Sequence, residues 1–181
     1  DGARVAVLTG AGDKAFCAGA DLVTYTMAFA TTPAPEFRAR FVDGHGLGGI
    51  TRGLEIDKPI IAAVNGYAIS GGLEIALACD LRFCSENAEF ALQDSKWGFH
   101  ACDGGLVRLP MIVGLGNAME IILSGERIGA EEALRIGLVN EVVPDHAALM
   151  ARVEALGGQL AEHAPLTMRA PSGVTATALT S

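Results

Sequence analysis

The four cysteines, Cys17, Cys79, Cys84 and Cys102, include no C-x-x-C pair. That argues against a metal site built on paired thiolates, and buried free thiols are the expected state. Free thiols fit a reducing compartment, with the cytoplasm the expected location. No apolar run reaches the ~18 residues needed to cross a bilayer, and no signal-peptide pattern precedes the first strand. The chain opens at Asp1 almost directly into that strand, which suggests a fragment or a processed chain. Nor does a basic stripe run along any segment: the net charge is −8, carried by scattered acids, so nucleic acid is not an expected partner. Internal repeats and low-complexity tracts are also missing.

What is present is a half-apolar chain. Of 181 residues, 50% are hydrophobic and 19% charged, enough to bury one sizeable core and to exclude disorder. The 23 glycines follow no collagen-like period. A chain so rich in glycine is expected to bring its backbone close to something.

Apolar periodicity sets out the elements. Residues 4–8 and 60–64 read as buried strands, 81–84 and 89–92 as further strands, and 138–142 as a last short one. Residues 73–78 read as a short buried helix, entered through Asn65-Gly66 and Gly71-Gly72. Further helices are expected over 36–55 (interrupted by glycines), 106–113, 117–123, 130–135 and 145–162. Strands alternating with helices predict an α/β layered fold. The core is expected over residues 1–143 and a C-terminal helical part from 144 to 170, with 171–181 a disordered tail.

Three motifs carry chemistry. Gly10-Ala11-Gly12-Asp13-Lys14-Ala15 matches a dinucleotide fingerprint, but Phe16 to Gly19 breaks the helix it needs and no acid stands near residues 29–32. It reads as a strand-closing turn. Ala68-Ile69-Ser70-Gly71-Gly72 resembles a nucleophile elbow, yet no histidine among His100, His146 and His163 stands in a recognisable motif. Ser70 reads as a small residue in a tight place.

The third is a combination. Ala18-Gly19-Ala20-Asp21 and Ser70-Gly71-Gly72 each follow a strand and can aim a backbone N–H at a ligand. The second opens a helix and so carries the positive end of its dipole. Two such donors converging on one point form an oxyanion hole. Glu74 stands in the same helix among apolar residues that cannot solvate it, and Asp94 follows the strand Phe90-Ala91-Leu92. The plainer alternative for Glu74 is a carboxylate bound to its own helix start.

Three segments resemble the crotonase (enoyl-CoA hydratase/isomerase) family. They are Ala15-Phe16-Cys17-Ala18-Gly19-Ala20-Asp21-Leu22, the stretch from Lys58-Pro59 through Asn65-Gly66-Tyr67-Ala68 to Gly71-Gly72-Leu73-Glu74, and Gly129 to Ala133 followed by Gly137 to Asn140. Within the family, the glycine-rich stretch before Lys58 and the run Cys84 to Leu109 are most similar to carnitinyl-CoA dehydratase-like members. The resemblance implies a spiral of strand-strand-helix turns, lacking the family's N-terminal strands and much of its C-terminal helical part. It implies an acyl-CoA thioester substrate, with coenzyme A as part of the substrate, no permanently bound cofactor, no metal, and a homotrimer or dimer of trimers.

By the same resemblance, the N–H groups of Ala20 and Gly71 hold the thioester oxygen. Glu74 and Asp94 fall on the two catalytic acids, Glu74 activating water and Asp94 delivering the α-proton. Ala18, Asp21 and Gly72 are implied in substrate binding. The activity implied is hydration of 2-enoyl-CoA or dehydration of 3-hydroxyacyl-CoA. Double-bond isomerisation is the alternative, and a catalytically impaired acyl-CoA-binding subunit is a further one. Two departures stand out: Asp94 after Gln93 replaces a glutamate after proline, and Ser70 replaces a common glycine. The turn after Asp94 carries two more acid–base groups, His100 and Asp103, which read as surface-loop residues.

Overall fold

The computed structural model describes residues 2–53 and 56–163. Two four-stranded sheets form from strands most of which alternate between them. Strand β1 (Ala6–Thr9), β3 (Ile60–Val64), β5 (Leu81–Ser85) and β8 (Glu141–Val143) lie side by side in that order, all parallel. Strands β2 (Ala15–Cys17), β4 (Tyr67–Ile69), β6 (Glu89–Ala91) and β7 (Ile128–Gly129) make the second sheet, with only the β6–β7 pair antiparallel. Up to β6, each odd strand hands over to the next even one before a helix follows; β7 instead stays in the second sheet beside β6, and a helix separates it from β8. The result is the expected spiral of strand-strand-helix turns.

The helices are α1 (Leu22–Thr31), α2 (Ala34–Phe37), α3 (Gly71–Ala78), α4 (Gly105–Val113), α5 (Leu115–Ser124), α6 (Ala130–Arg135) and α7 (His146–Glu162). None of the helices among the described residues is long and apolar enough to cross a membrane.

Strand β3 is buried along its whole length because both faces are covered. Its alternate residues point to opposite layers. Ile61 and Ala63 join Phe83, Val143, Leu149 and Val153 beneath α7. Ile60, Ala62 and Val64 join Leu73, Leu77, Phe90 and Leu92 in the main core between the sheets. Buried Arg82 ties β5 to the turn before β8, donating from Nε to the Leu138 carbonyl at 2.9 Å and from Nη1 to that of Cys79 at 2.7 Å.

Four sequence expectations need correction. Strand β1 is not buried: it is the sheet's edge, and Val7 is 37% exposed. Among the described residues of 36–55 no long helix forms. After α2 come one wide turn at Arg38–Val42 and one tight turn at Leu47–Gly49, because Gly46, Gly48 and Gly49 all adopt positive φ. The expected strand 138–142 is a turn up to Asn140, with Leu138 and Val139 donating back to the Ala133 carbonyl, and strand only from Glu141. Residues 22–31, for which no element was expected, form α1, capped by Asp21. The four cysteines are free thiols. The expected tail, 171–181, lies outside the described residues.

Candidate active site

Strands β2, β4 and β6 are parallel neighbours, so their C-terminal ends emerge together. The segments that follow are Ala18–Asp21, Ser70–Gly71 and Gln93–Asp94. Ligands bind at such strand ends in layered α/β folds. Here a cavity of about 430 Å³ opens there, lined by Ala18, Ala20, Ser70, Gly71, Glu74, Asp94 and Asp103 among others.

Two close approaches bring the amides of Ala20 and Gly71 together. Gly19 has φ +92°, and a Cβ there would fall 3.0 Å from the Ile69 carbonyl oxygen and 3.4 Å from the Gly71 nitrogen. A Cβ on Gly71 would lie 3.8 Å from the Ala20 nitrogen and 2.5 Å from Leu47 Cδ1. Only glycine admits this packing without displacing a neighbour. Neither the Ala20 nor the Gly71 N–H has a hydrogen-bond acceptor among the described residues. The Gly71 amide also sits at the first residue of α3, where the helix leaves N–H groups unpaired.

Ser70 turns the chain into α3 at φ 49°, in the region that favours glycine. Three hydrogen bonds anchor it. Its N–H donates to the Ala91 carbonyl at 2.7 Å, its Oγ accepts from the Gln93 N–H at 3.2 Å, and its own carbonyl accepts from the Glu74 N–H. Two of these bonds tie Ser70 to the end of β6 and the turn after it.

Glu74 is 2% exposed. It does not fold back on its own helix start; Oε1 accepts from the Gly105 N–H at 2.9 Å, at the first residue of α4. Burial pushes its pKa up to about 7, and the nearby Asp103 and Asp94 carboxylates push in the same direction, while the Gly105 bond pulls it back. Asp94 lies in a short 3-10 turn after β6, and its buried Oδ2 has no hydrogen-bond partner among the described residues. An unpartnered buried carboxylate oxygen on a cavity wall is poised to meet a proton or a ligand hydrogen.

The remaining sequence candidates divide. Ala18 lines the cavity. Asp21 does not: it is exposed and caps α1, accepting from the Val23 N–H at 3.1 Å and the Thr24 hydroxyl at 2.6 Å, bonds that hold its pKa below the usual range. Gly72 is also outside the lining, and its missing side chain lets α3 pack on the Cys17 carbonyl of β2. His100 is exposed on the cavity rim. Asp103 is no surface residue; it is 8% exposed and bonded to the 46–52 turn. Sequence reading missed that turn and the aromatic walls Tyr25, Phe37, Trp97 and Phe99. The cluster Gly44, Gly46, Gly48, Gly49 was the one available signal for the turn.

The chain has counterparts among known proteins. The carnitinyl-CoA dehydratase of Escherichia coli strain K12 is 48% identical over 167 residues, which are 92% of this chain and 61% of that protein. The Salmonella typhi carnitinyl-CoA dehydratase is 46% identical over the same span. The chain thus spans about 61% of the length of these curated relatives. Among solved structures, a carnitinyl-CoA dehydratase from Mycobacterium avium 104 superposes with a TM-score of 0.81 at 40% identity, covering 95% of this chain and 64% of that one. An enoyl-CoA hydratase from Bacillus anthracis gives 0.80 at 36% identity, covering 98% and 66%. The enoyl-CoA hydratase/isomerase family profile matches residues 1–179, and with paired amides and a buried glutamate at the strand ends, this chain belongs to that family.

Proposed function

We propose that the chain is a hydro-lyase that adds water to 2-enoyl-CoA thioesters, or in reverse dehydrates 3-hydroxyacyl-CoA. One observation carries the reading. Two amides with no acceptor among the described residues face the same cavity as a desolvated glutamate and an aspartate whose buried oxygen has no partner among them.

The thioester oxygen accepts from the Ala20 and Gly71 N–H groups. Ionised Glu74 takes a proton from water as its oxygen bonds to the β-carbon. The electron pair of the double bond moves onto the thioester oxygen as an enolate, where the two donors stabilise it. The enolate collapses and the α-carbon takes a proton from Asp94, which enters the step as the carboxylic acid. Water has then been added across the double bond, Glu74 holds a proton and Asp94 has given one up; exchange with solvent resets both. A glutamate with a pKa near the working pH suits a general base.

The relatives' names make carnitinyl-CoA the first 3-hydroxyacyl thioester to test. Carnitine ends in a quaternary ammonium group. Tyr25, Phe37, Trp97 and Phe99 supply aromatic faces, and the cavity's carboxylates the negative charge, that such a cation prefers. A homo-oligomer, with a trimer as its unit, is part of the same reading. Leu115, Met119 and Leu123 form an exposed apolar stripe at four-residue spacing on α5, as a subunit contact would require. The free thiols fit work in a reducing compartment.

Loss of the enoyl absorbance of crotonoyl-CoA, run in parallel with carnitinyl-CoA dehydration, is the decisive assay. Turnover that persists unchanged in Glu74→Ala overturns the assignment. Label from heavy-oxygen water enters the product of hydration and not that of isomerisation. Tight thioester binding in calorimetry with no turnover would identify an acyl-CoA-binding subunit instead.

A further inference from the structure

Asp103 takes no part in the reaction drawn above, yet it is buried and heavily engaged. Its Oδ1 accepts from the Leu47 N–H at 3.3 Å and from the Thr51 hydroxyl at 2.9 Å, and lies 3.1 Å from Arg52 Nε. All these donors belong to one turn, Gly46–Arg52. The turn is folded tightly onto the carboxylate: Gly46 has φ +72°, and a Cβ there would overlap Thr51 Oγ1 and lie 2.6 Å from Asp103 Oδ1. A second clamp runs alongside, with Arg108 donating to the Asp103 carbonyl at 3.0 Å and to the Thr51 carbonyl at 2.8 Å.

The turn packs on the start of α3. Leu47 Cδ1 sits over Gly71, and Gly48 lies against Ile75. Two residues past Asp103, the Gly105 N–H holds Glu74. Asp103 therefore stands between the turn that covers one proposed oxyanion donor and the peptide that grips the proposed base.

We propose that Asp103 is a positioning residue of this site: its carboxylate gathers the Gly46–Arg52 turn, which through Leu47 holds the Gly71 amide in place and shields the Glu74 wall of the cavity from bulk solvent. The inference rests on the thioester reading of the cavity. Its charge has a second consequence. The ionisable groups acting on or feeling Glu74 are Asp94, Asp103, Cys102 and Arg108. Of the two carboxylates, Asp103 contributes more to raising the Glu74 pKa.

Three variants of the chain as it stands test this: Asp103→Ala, Asp103→Asn and Thr51→Val. Hydrogen–deuterium exchange needs no substrate. Exchange across 46–52 becomes faster in Asp103→Ala while that of strand β3 does not change, and Asp103→Asn, which keeps an acceptor for Leu47 and Thr51, restores most of the protection. With crotonoyl-CoA, kcat in Asp103→Ala falls about tenfold to a hundredfold, as small misplacements of catalytic donors do, and falls more than KM rises. In Asp103→Asn the pH–rate limb belonging to Glu74 moves to lower pH, because a neighbouring negative charge is gone.

Unchanged exchange at 46–52 in Asp103→Ala, an unchanged kcat, or an unmoved limb in Asp103→Asn each overturns the proposal. If Asp103→Ala does not fold, Thr51→Val carries the test: faster exchange over 46–52 with a lowered kcat supports it, and wild-type values for both overturn it. If the unmutated chain neither binds nor turns over the thioester, the functional reading fails, and the exchange comparison still decides whether Asp103 holds the turn.

Discussion

Glu74 Oε1 accepts the Gly105 N–H at 2.9 Å, joining the first turn of α3 to the first residue of α4 across 31 positions of sequence. This bond holds a carboxylate in a place that otherwise disfavours its charge. The folded-state pKa of about 7 lies above the ordinary 4.5. Between those values the folded chain binds a proton that the unfolded chain has released, so stability falls as pH rises from 4.5 through 7. At 1.36 kcal/mol per pH unit, the gap is worth about 3 kcal/mol. Glu74→Gln keeps an acceptor for Gly105 and cannot ionise. It is expected to be more stable than the unmutated chain at pH 8 by an amount of that order, with the difference closing by pH 4.5. Urea denaturation at the two pH values measures it; equal stability of the two chains at pH 8 would place Glu74 in water.

The same ionisation governs rate. Hydration needs Glu74 as the carboxylate, so kcat/KM for crotonoyl-CoA is expected to rise with pH through about 7. Glu74→Gln is expected to lose about 10³-fold or more in kcat and to lose that limb, general-base steps being worth typically 10²–10⁴. A stopped-flow pH–rate profile on both proteins checks the pair of outcomes together.

Asp94 is tested apart from Glu74 because its environment differs: it is partly exposed, and its buried Oδ2 faces no partner among the described residues. Replacing its carboxyl by an amide therefore breaks no internal bond made by that oxygen. Asp94→Asn is expected to keep its melting temperature within a few degrees and its thioester affinity, while kcat drops about a hundredfold. Proton exchange at the substrate α-carbon, followed by NMR in deuterium oxide, should slow by a similar factor. Exchange at the original rate would remove Asp94 from the proton path.

The parts legible in the sequence were those set by local pattern. Strand β3 begins and ends where its apolar run does, at Ile60 and Val64. Helix α6 likewise matches its pattern from Ala130 to Arg135. Glu74 stood out because an acid among apolar residues needs a reason. What escaped depends on distant neighbours. Val7 looks like any buried strand residue until β1 is found at a sheet edge. Asp103 looks like a loop acid until a turn 52 residues earlier in the chain wraps it. The helix expected over 36–55 failed for a local reason that was in view: three glycines at positive φ between 46 and 49 cannot extend a right-handed helix.

The strictest test of the proposed chemistry is the removal of one amide hydrogen. Ala20 lies just before the cap of α1, and its N–H has no acceptor among the described residues, so Ala20→Pro deletes a donor without breaking an internal hydrogen bond. If that N–H supports the enolate, kcat should fall by about 10²–10³, equivalent to about 3–4 kcal/mol of transition-state stabilisation. Ala20→Gly keeps the N–H and should retain most of the rate. The contrast between the two variants, with the fold checked by circular dichroism, isolates the hydrogen from the side chain. Equal rates in Ala20→Pro and the unmutated chain would mean that the carbonyl is polarised elsewhere, and would leave Gly71 as a lone donor at the head of α3.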